Sequence, residues 1–356
     1  MGLSPCLLGM VVWSVGSSIS ITACGVFLMR DQIERVLALE FVRVTEAAAL
    51  ACGRLMGTGD KEGCDQAAVT AMRRALGTVD IAGTIVIGEG EMDEAPMLYI
   101  GEKVGSGSGP TVDVAVDPLE GTNVLARGLP RALSVLAVAE EGCLLHAPDM
   151  YMEKLAVGPR AAGRIDLDAP IEANLREVAK GLGRNVEDLV VVILDRPRNG
   201  QLIEDVRRAG ARIKLIPDGD LSPAVSVAFQ DSGVDVLAGV GGAPEGVLAA
   251  VALRCAGGEM QARLWPTNAA EVERARKMGI SDIRQKLTMD DLVQGDDVVF
   301  AATGVTDGEL LKGVHYSGPT AVTHSLVMRG TTGTVRRIEA LHRLDRKEPG
   351  IWTPNG

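Results

Sequence analysis

The chain reads as a layered α/β protein. Short β-branched runs recur along it, helical patterns separate several of them, and glycine is abundant at 43 of 356 residues without any collagen-like period. At roughly 100 to 200 residues per domain the length favours two packed units over one large α/β domain.

The first stretch, residues 1–29, carries no charged side chain, and 7–28 has the length and apolarity of a membrane span or signal segment. A signal peptide, however, begins with basic residues, and here the first is Arg30. Gly9, Ser14, Gly16, Ser17 and Ser18 dilute the apolar run, although Ile21-Thr22-Ala23-Cys24 resembles a bacterial lipoprotein cleavage box. A charged amphipathic pattern follows Met29 at once, so residues 1–30 are set apart as a non-family leader or a misplaced start, with translation from Met29 as the expectation.

Residues 31–56 show helical spacing through Ile33, Val36, Leu37, Leu39, Val42 and Val44, stopped by Gly57 and Gly59. A polar loop, Asp60-Lys61-Glu62-Gly63, leads to a second helix over 65–76 with Asp65 in its first turn. Strands are expected at 84–87 and 111–116, each followed directly by acidic residues. Further strands are expected at 133–138, Val190–Leu194, Arg212–Ile216, 234–237, 298–302 and 322–328. Helical patterns cover 174–181, Gly200–Ala209, 221–229, 246–255 and 269–278. Breakers at Gly158-Pro159 and Gly318-Pro319 divide the chain into one unit of 31–158 plus 319–346 and another of 159–318.

Composition removes several function classes. The net charge of −11 repels phosphate backbones, and 3 Trp, 3 Tyr and 4 Phe are too few to line a base-stacking channel, which argues against nucleic-acid binding. The six cysteines include no C-x-x-C pair, and the four histidines lack H-E-x-x-H spacing, so neither supports a zinc site; free thiols fit a reducing cytoplasm. Gly105-Ser106-Gly107-Ser108-Gly109 precedes a strand instead of following one, and no Gly-Lys pair exists, so it reads as a surface connection and not a nucleotide loop.

The acidic clusters carry the chemistry: Gly88-Glu89-Gly90-Glu91-Met92-Asp93-Glu94 after one strand and Asp117-Pro118-Leu119-Glu120-Gly121-Thr122 after the next. Converging carboxylates cost several kcal/mol in repulsion and desolvation unless a hard divalent cation neutralises them. Asp117-Pro118 is expected to form a rigid turn, with Glu120 a second ligand and Gly121-Thr122 opening a helix toward a phosphate.

This D-P-[IL]-[DE]-G-[ST] motif resembles the signature of the metal-dependent, lithium-sensitive sugar and inositol phosphatases. With Gly-Glu-Gly-Glu-Met-Asp-Glu-Ala-Pro-Met-Leu-Tyr (88–99), Ala-Pro-Asp-Met-Tyr-Met-Glu-Lys-Leu (147–155), Ile-Pro-Asp-Gly-Asp (216–220) and Gly-Gly-Ala-Pro-Glu-Gly (241–246), the chain resembles class II, GlpX-type fructose-1,6-bisphosphatases from about residue 31 to 346. The resemblance implies an α/β/α/β/α sandwich of the sugar phosphatase type. It implies metal ligands at Asp65, Glu89, Asp117, Glu120 and Glu245, holding two or more Mn²⁺ or Mg²⁺ ions, and catalytic roles for Lys61, Thr122 and Asp93. Implied substrate contacts are Glu120, Gly121, Thr122, Tyr151, the Arg196-Pro197-Arg198 turn, Asp218, Gly219, Asp220 and Gly242, with Arg198 meeting the distal phosphate.

The implied reaction is in-line attack of water on the 1-phosphate of fructose 1,6-bisphosphate, with sedoheptulose 1,7-bisphosphate as a second substrate. An inositol monophosphatase-like or nucleotide 3′-phosphatase activity is the alternative, and a catalytically silent sugar-phosphate sensor a third reading. A cytoplasmic homo-oligomer, dimer or tetramer, acting on a small sugar bisphosphate without nucleic acid or membrane, completes the expectation. A chain beginning at Met29 should be soluble and release phosphate from the bisphosphate; loss of that activity, or native protein found in the membrane fraction, would overturn the start-site reading.

Overall fold

The computed structural model describes residues 37–90 and 96–347. Its strands, in chain order, are β1 (Ala82–Ile87), β2 (Lys103–Val104), β3 (Thr111–Glu120), β4 (Leu133–Glu140), β5 (Tyr151–Val157), β6 (Val190–Leu194), β7 (Arg212–Ile216), β8 (Val236–Gly242), β9 (Glu259–Trp265), β10 (Val298–Gly304), β11 (His315–Ser317), β12 (Thr320–Arg329) and β13 (Thr334–Arg343). The helices are α1 (Ala38–Cys52), α2 (Lys61–Leu76), α3 (Thr122–Ala126), α4 (Ile171–Leu182), α5 (Gly200–Ala209), α6 (Leu221–Ser226), α7 (Ala243–Ala256), α8 (Ala269–Lys277) and α9 (Met289–Leu292). Residues 1–36, including the leader, lie outside the described part; within it, no helix is long and apolar enough to cross a membrane.

Two mixed sheets form. The larger runs β11-β12-β10-β4-β3-β1-β2, with β13 also paired to β12; the smaller runs β7-β6-β8-β5-β9. Parallel pairing joins β1 to β3 and β6 to both β7 and β8, while the other ladders are antiparallel.

Strand alternation divides the apolar residues into three cores. In β10, Val299 and Ala301 face Phe41, Ala48 and Met72 of α1 and α2, whereas Val298, Phe300 and Ala302 face Val247, Leu248 and Val251 of α7. In β5, Met152 and Ala156 join that central layer, while Leu155 and Val157 pack with Leu175 and Val178 of α4 and Val206 of α5. The order is therefore helices, sheet, helices, sheet, helices: an α/β/α/β/α sandwich. A strand covered on both faces reads as continuous apolar sequence, as Val298–Gly304 does. The helix α7 lies between the sheets and is apolar on every side, its residues 246–253 all buried.

Sheet membership departs from the division drawn at the sequence breakers. β5, inside 31–158, pairs in the smaller sheet, and β10 and β11, inside 159–318, pair in the larger. The chain changes sheet within 141–150 and again within 266–297. Gly158 marks instead a close crossing between the end of β5 and the end of α6, where an added Cβ would lie 2.1 Å from the Val227 carbonyl oxygen. Breakers report sharp turns and close backbone approaches, which need not mark a passage from one sheet to the other.

Two local differences shape the acidic cleft. Helix α2 starts four residues earlier than 65, because the Asp60 side chain accepts the Gly63 N–H at 2.9 Å and caps it. Strand β3 does not end in a turn at Asp117-Pro118 but continues to Glu120.

Candidate metal centre and substrate cleft

The end of β3 explains how two acids three residues apart reach the same cleft. On a regular strand they would point to opposite faces. The register to β4 shifts between them: Asp117 sits opposite Val135 and Glu120 opposite Leu133, so β3 takes three steps where β4 takes two. Pro118 has no N–H to give a ladder, which suits this bulge, and the Leu119 N–H donates to Asp117 Oδ1 at 3.1 Å. From across the central layer, α7 contributes Glu245 in its first turn. Carboxylate oxygens of Asp117, Glu120 and Glu245 all lie within 4.8 Å of one another.

Asp65 on α2 and Glu89 after β1 line the same 310 Å³ recess. Glu89 is held there by its N–H, which donates to the Leu98 carbonyl. Burial, followed by the charge of Asp65, pushes Glu89 up to about 7. Burial also pushes Glu120 up to about 8, aided by Glu245 and Asp220. Asp117 is raised well above its ordinary value by burial and then by Glu120, Glu89 and Glu245; burial raises Asp65 and Glu245 too. Glu245 Oε2 is sealed from solvent and has no hydrogen-bond partner among the described residues. An acidic set of hard oxygens, all raised by burial and several by a neighbouring charge as well, with an orphaned carboxylate oxygen among them, fits divalent metal.

A second recess of 540 Å³ opens from the first, and Glu120, Asp149, Asp218 and Glu245 line both. Its wall carries Tyr151, Arg196, Arg198, Gly219, Asp220 and Gly242. Arg198 donates from Nε to the Val240 carbonyl at 3.0 Å, and its guanidinium lies 4.0 Å above the Tyr151 ring. Arg196 approaches Asp218 at 3.7 Å, while Asn123 Nδ2 donates to the other Asp218 oxygen at 3.0 Å. Two glycines give the acids room: a Cβ on Gly241 would lie 2.0 Å from Asp220 Oδ2, and one on Gly242 1.9 Å from Glu245 Oε2.

The structure thus gathers Asp65, Glu89, Asp117, Glu120, Gly121, Thr122 and Glu245 in one recess and Tyr151, Arg196, Arg198, Asp218, Gly219, Asp220 and Gly242 in its neighbour. Pro197 opens the short turn that carries Arg198. Lys61 begins α2, one turn before Asp65, is exposed, and lines neither recess. Asp93 lies outside the described residues. Gly121, at φ 86°, precedes α3, and the Thr122 hydroxyl donates to the Leu119 carbonyl at 3.2 Å.

Two residues escaped the sequence reading. Lys154, 2% exposed on β5, pairs with Asp220 at 2.6 Å and donates to the Gly242 carbonyl at 2.9 Å, so one buried cation does sit beside the acids. Asp149 lines both recesses and acts on Glu245 electrostatically. Both stand in the segment 147–155; a lysine in the middle of an otherwise apolar strand was the signal available for the first.

Residues 35–342 match the family model described as bacterial fructose-1,6-bisphosphatase, glpX-encoded. Curated relatives include "Fructose-1,6-bisphosphatase 1 class 2" of Escherichia coli K12 and "Fructose-1,6-bisphosphatase class 2" of Shigella flexneri. Each is 50% identical over 330 residues, covering 89% of this chain and 98% of the relative.

The raised carboxylates give the metal-free protein a defined pH response. Their folded values lie above the ordinary 4.5 of a glutamate, so the folded state keeps protons that the unfolded chain has released, and this cluster's contribution to stability falls as pH rises through about 8. Thermal unfolding in chelator should therefore show a lower midpoint at pH ~8.5 than at pH ~5.5, and Mn²⁺ or Mg²⁺ should raise it more at the higher pH, because metal takes the deprotonated ligands. A midpoint indifferent to both metals would contradict the assignment.

Proposed function

Since the chain belongs to the bacterial GlpX-type fructose-1,6-bisphosphatases, we propose that the paired recesses are its active centre, with the acidic one receiving the phosphate that is cleaved. The chain hydrolyses fructose 1,6-bisphosphate to fructose 6-phosphate and phosphate, a gluconeogenic reaction. The observation that carries the site is the convergence of Asp117, Glu120 and Glu245 next to a recess edged by Arg196 and Arg198. The inositol monophosphatase-like alternative is not favoured, since the second recess offers guanidinium groups for a second phosphate.

Asp65, Glu89, Asp117, Glu120 and Glu245 are proposed to hold two or more divalent ions. Mn²⁺ or Mg²⁺ there supplies positive charge to the phosphate oxygens and lowers the pKa of the attacking water. The Thr122 hydroxyl spends its proton on the Leu119 carbonyl, which leaves its oxygen free to accept from that water and orient it. Lys61 and Asp93 are proposed as further catalytic residues on the family resemblance.

Lys154 neutralises Asp220 and holds the Gly242 carbonyl at the start of α7, so it fixes a sugar-facing acid and the helix carrying Glu245 at once. Asp218 and Asp220 then accept from sugar hydroxyls. Arg198, anchored through Nε and stacked on Tyr151, keeps its terminal nitrogens for the distal phosphate. Use of sedoheptulose 1,7-bisphosphate, a cytoplasmic location and a homo-oligomeric state complete the proposal.

Phosphate release measured on a panel of sugar bisphosphates and monophosphates tests the reading. Activity should be highest on the bisphosphate and vanish in chelator. Arg198→Ala should raise KM for fructose 1,6-bisphosphate about 30-fold to several thousand-fold, corresponding to ~2 to 5 kcal/mol for a lost charged partner. Fructose 1-phosphate, which makes no distal contact, should be turned over nearly as before. Equal losses on both substrates would remove Arg198 from the distal site.

A further inference from the structure

The parallel ladder between β6 and β8 is short. It joins Val191 to Val236 and Val192 to Leu237 and goes no further, although β6 runs to Leu194 and β8 to Gly242. Beyond it each strand keeps only its other partner: Leu194 pairs with Ile216 of β7, and β8 pairs with β5 up to Gly242 opposite Tyr151. The smaller sheet is thus split at the carboxyl ends of two parallel strands, which is where α/β sheets place their ligands. Leu194, Arg196, Arg198 and Gly242 line the second recess there.

Such a split leaves main-chain groups inside the protein without a ladder to satisfy them. One side chain meets them. Asn199, 1% exposed and lining neither recess, donates from Nδ2 to the Leu194 carbonyl at 3.0 Å and to the Val240 carbonyl at 3.4 Å. Its Oδ1 accepts the Val240 N–H at 2.8 Å. These partners fix which way the amide lies, because only its oxygen can accept from the N–H and only its nitrogen can donate to the carbonyls. Gly239, at φ 130°, leaves the space, since a Cβ there would lie 3.0 Å from Asn199 Oδ1. A leucine would fill the same space without any of these bonds, and an aspartate would lack the donors.

Asn199 directly follows Arg198, whose Nε donates to the same Val240 carbonyl at 3.0 Å. The place of the guanidinium is therefore set twice, by its own contacts with Val240 and Tyr151 and by the backbone that carries it. We propose that Asn199 is a positioning residue for Arg198: its carboxamide, wedged into the split, ties the 196–199 turn to β8 and holds the guanidinium where the uncleaved phosphate arrives. This role rests on Arg198 meeting that phosphate. Asn199 itself touches no substrate, so it acts on binding of the bisphosphate through its neighbour.

Steady-state phosphate release by single and double variants of the full chain reads this role. Asn199→Ala should raise KM for fructose 1,6-bisphosphate about 10-fold, less than Arg198→Ala does, because misplacement weakens a contact that deletion removes. KM does not depend on how much of the chain is folded, so a variant that is merely less stable would leave it unchanged. Turnover of fructose 1-phosphate, which makes no distal contact, should change little. In the Arg198→Ala background, adding Asn199→Ala should shift KM by less than about 2-fold, since the group it positions is already gone. Asn199→Ser, which keeps one hydroxyl for the main-chain groups, should fall between the alanine variant and the unaltered protein. A KM effect of the same size with and without Arg198, or equal losses on both substrates, would make Asn199 a residue of the fold and overturn the role. So would an unchanged KM, or failure of both the alanine and the serine variant to fold. If Arg198→Ala alone leaves KM unchanged, the distal assignment of Arg198 fails first, and the role of Asn199 with it.

Discussion

Mutual repulsion among buried carboxylates is the constraint to which the rest of the structure answers. Asp117, Glu120 and Glu245 are brought within 4.8 Å of one another by elements from different layers, and burial raises all three. No fold gathers such groups by chance of packing alone; the gain must come from what binds there. The sandwich supplies the stiffness to hold them. β3 is covered on both faces, and α7 is clamped between two sheets, so the backbones that carry the three acids cannot draw apart to relieve the repulsion.

Lys154 shows how far that compensation is local. Its ammonium is committed to Asp220 and the Gly242 carbonyl, and its charge lowers the Glu245 pKa against the burial that raises it. It therefore neutralises Asp220 in the second recess and leaves the acids of the first in surplus. The division between the two recesses is electrostatic as much as steric, and the shared residues Glu120 and Glu245 lie where the two meet.

Much of this was legible in the chain. Val190–Leu194, Arg212–Ile216 and Gly200–Ala209 have the bounds their periodicity predicts. The five-layer order came from the family resemblance, and the acid-rich strand ends were visible directly. What stayed hidden has physical causes. The bulge in β3 looks like a turn because Asp-Pro is turn chemistry, and only the facing strand reveals the ladder resuming at Glu120. β9 alternates Met260, Ala262 and Leu264 with polar residues and could have been read, whereas β13 is rich in arginine on both faces and resembles a loop. Sheet membership was beyond reach, because apolar strands of the two layers look alike.

The pairing of β4 with β10 has a consequence for how the chain reaches this state. These neighbours, matched from Ala139–Val298 to Leu133–Gly304, are separated by residues 141–297, which contain the entire smaller sheet. The smaller sheet is in effect an insertion into a hairpin of the larger one. Closing so long a loop as free coil carries an entropic cost that rises with the logarithm of its length, and contacts at such separation slow folding. A compact insert shortens that loop, because it brings its own two ends together before β10 docks. During synthesis β4 emerges long before β10, so its open edge waits for the whole insert to be made. The ladder between β4 and β10, against which α7 packs, therefore cannot close until every residue of the cleft has already been made.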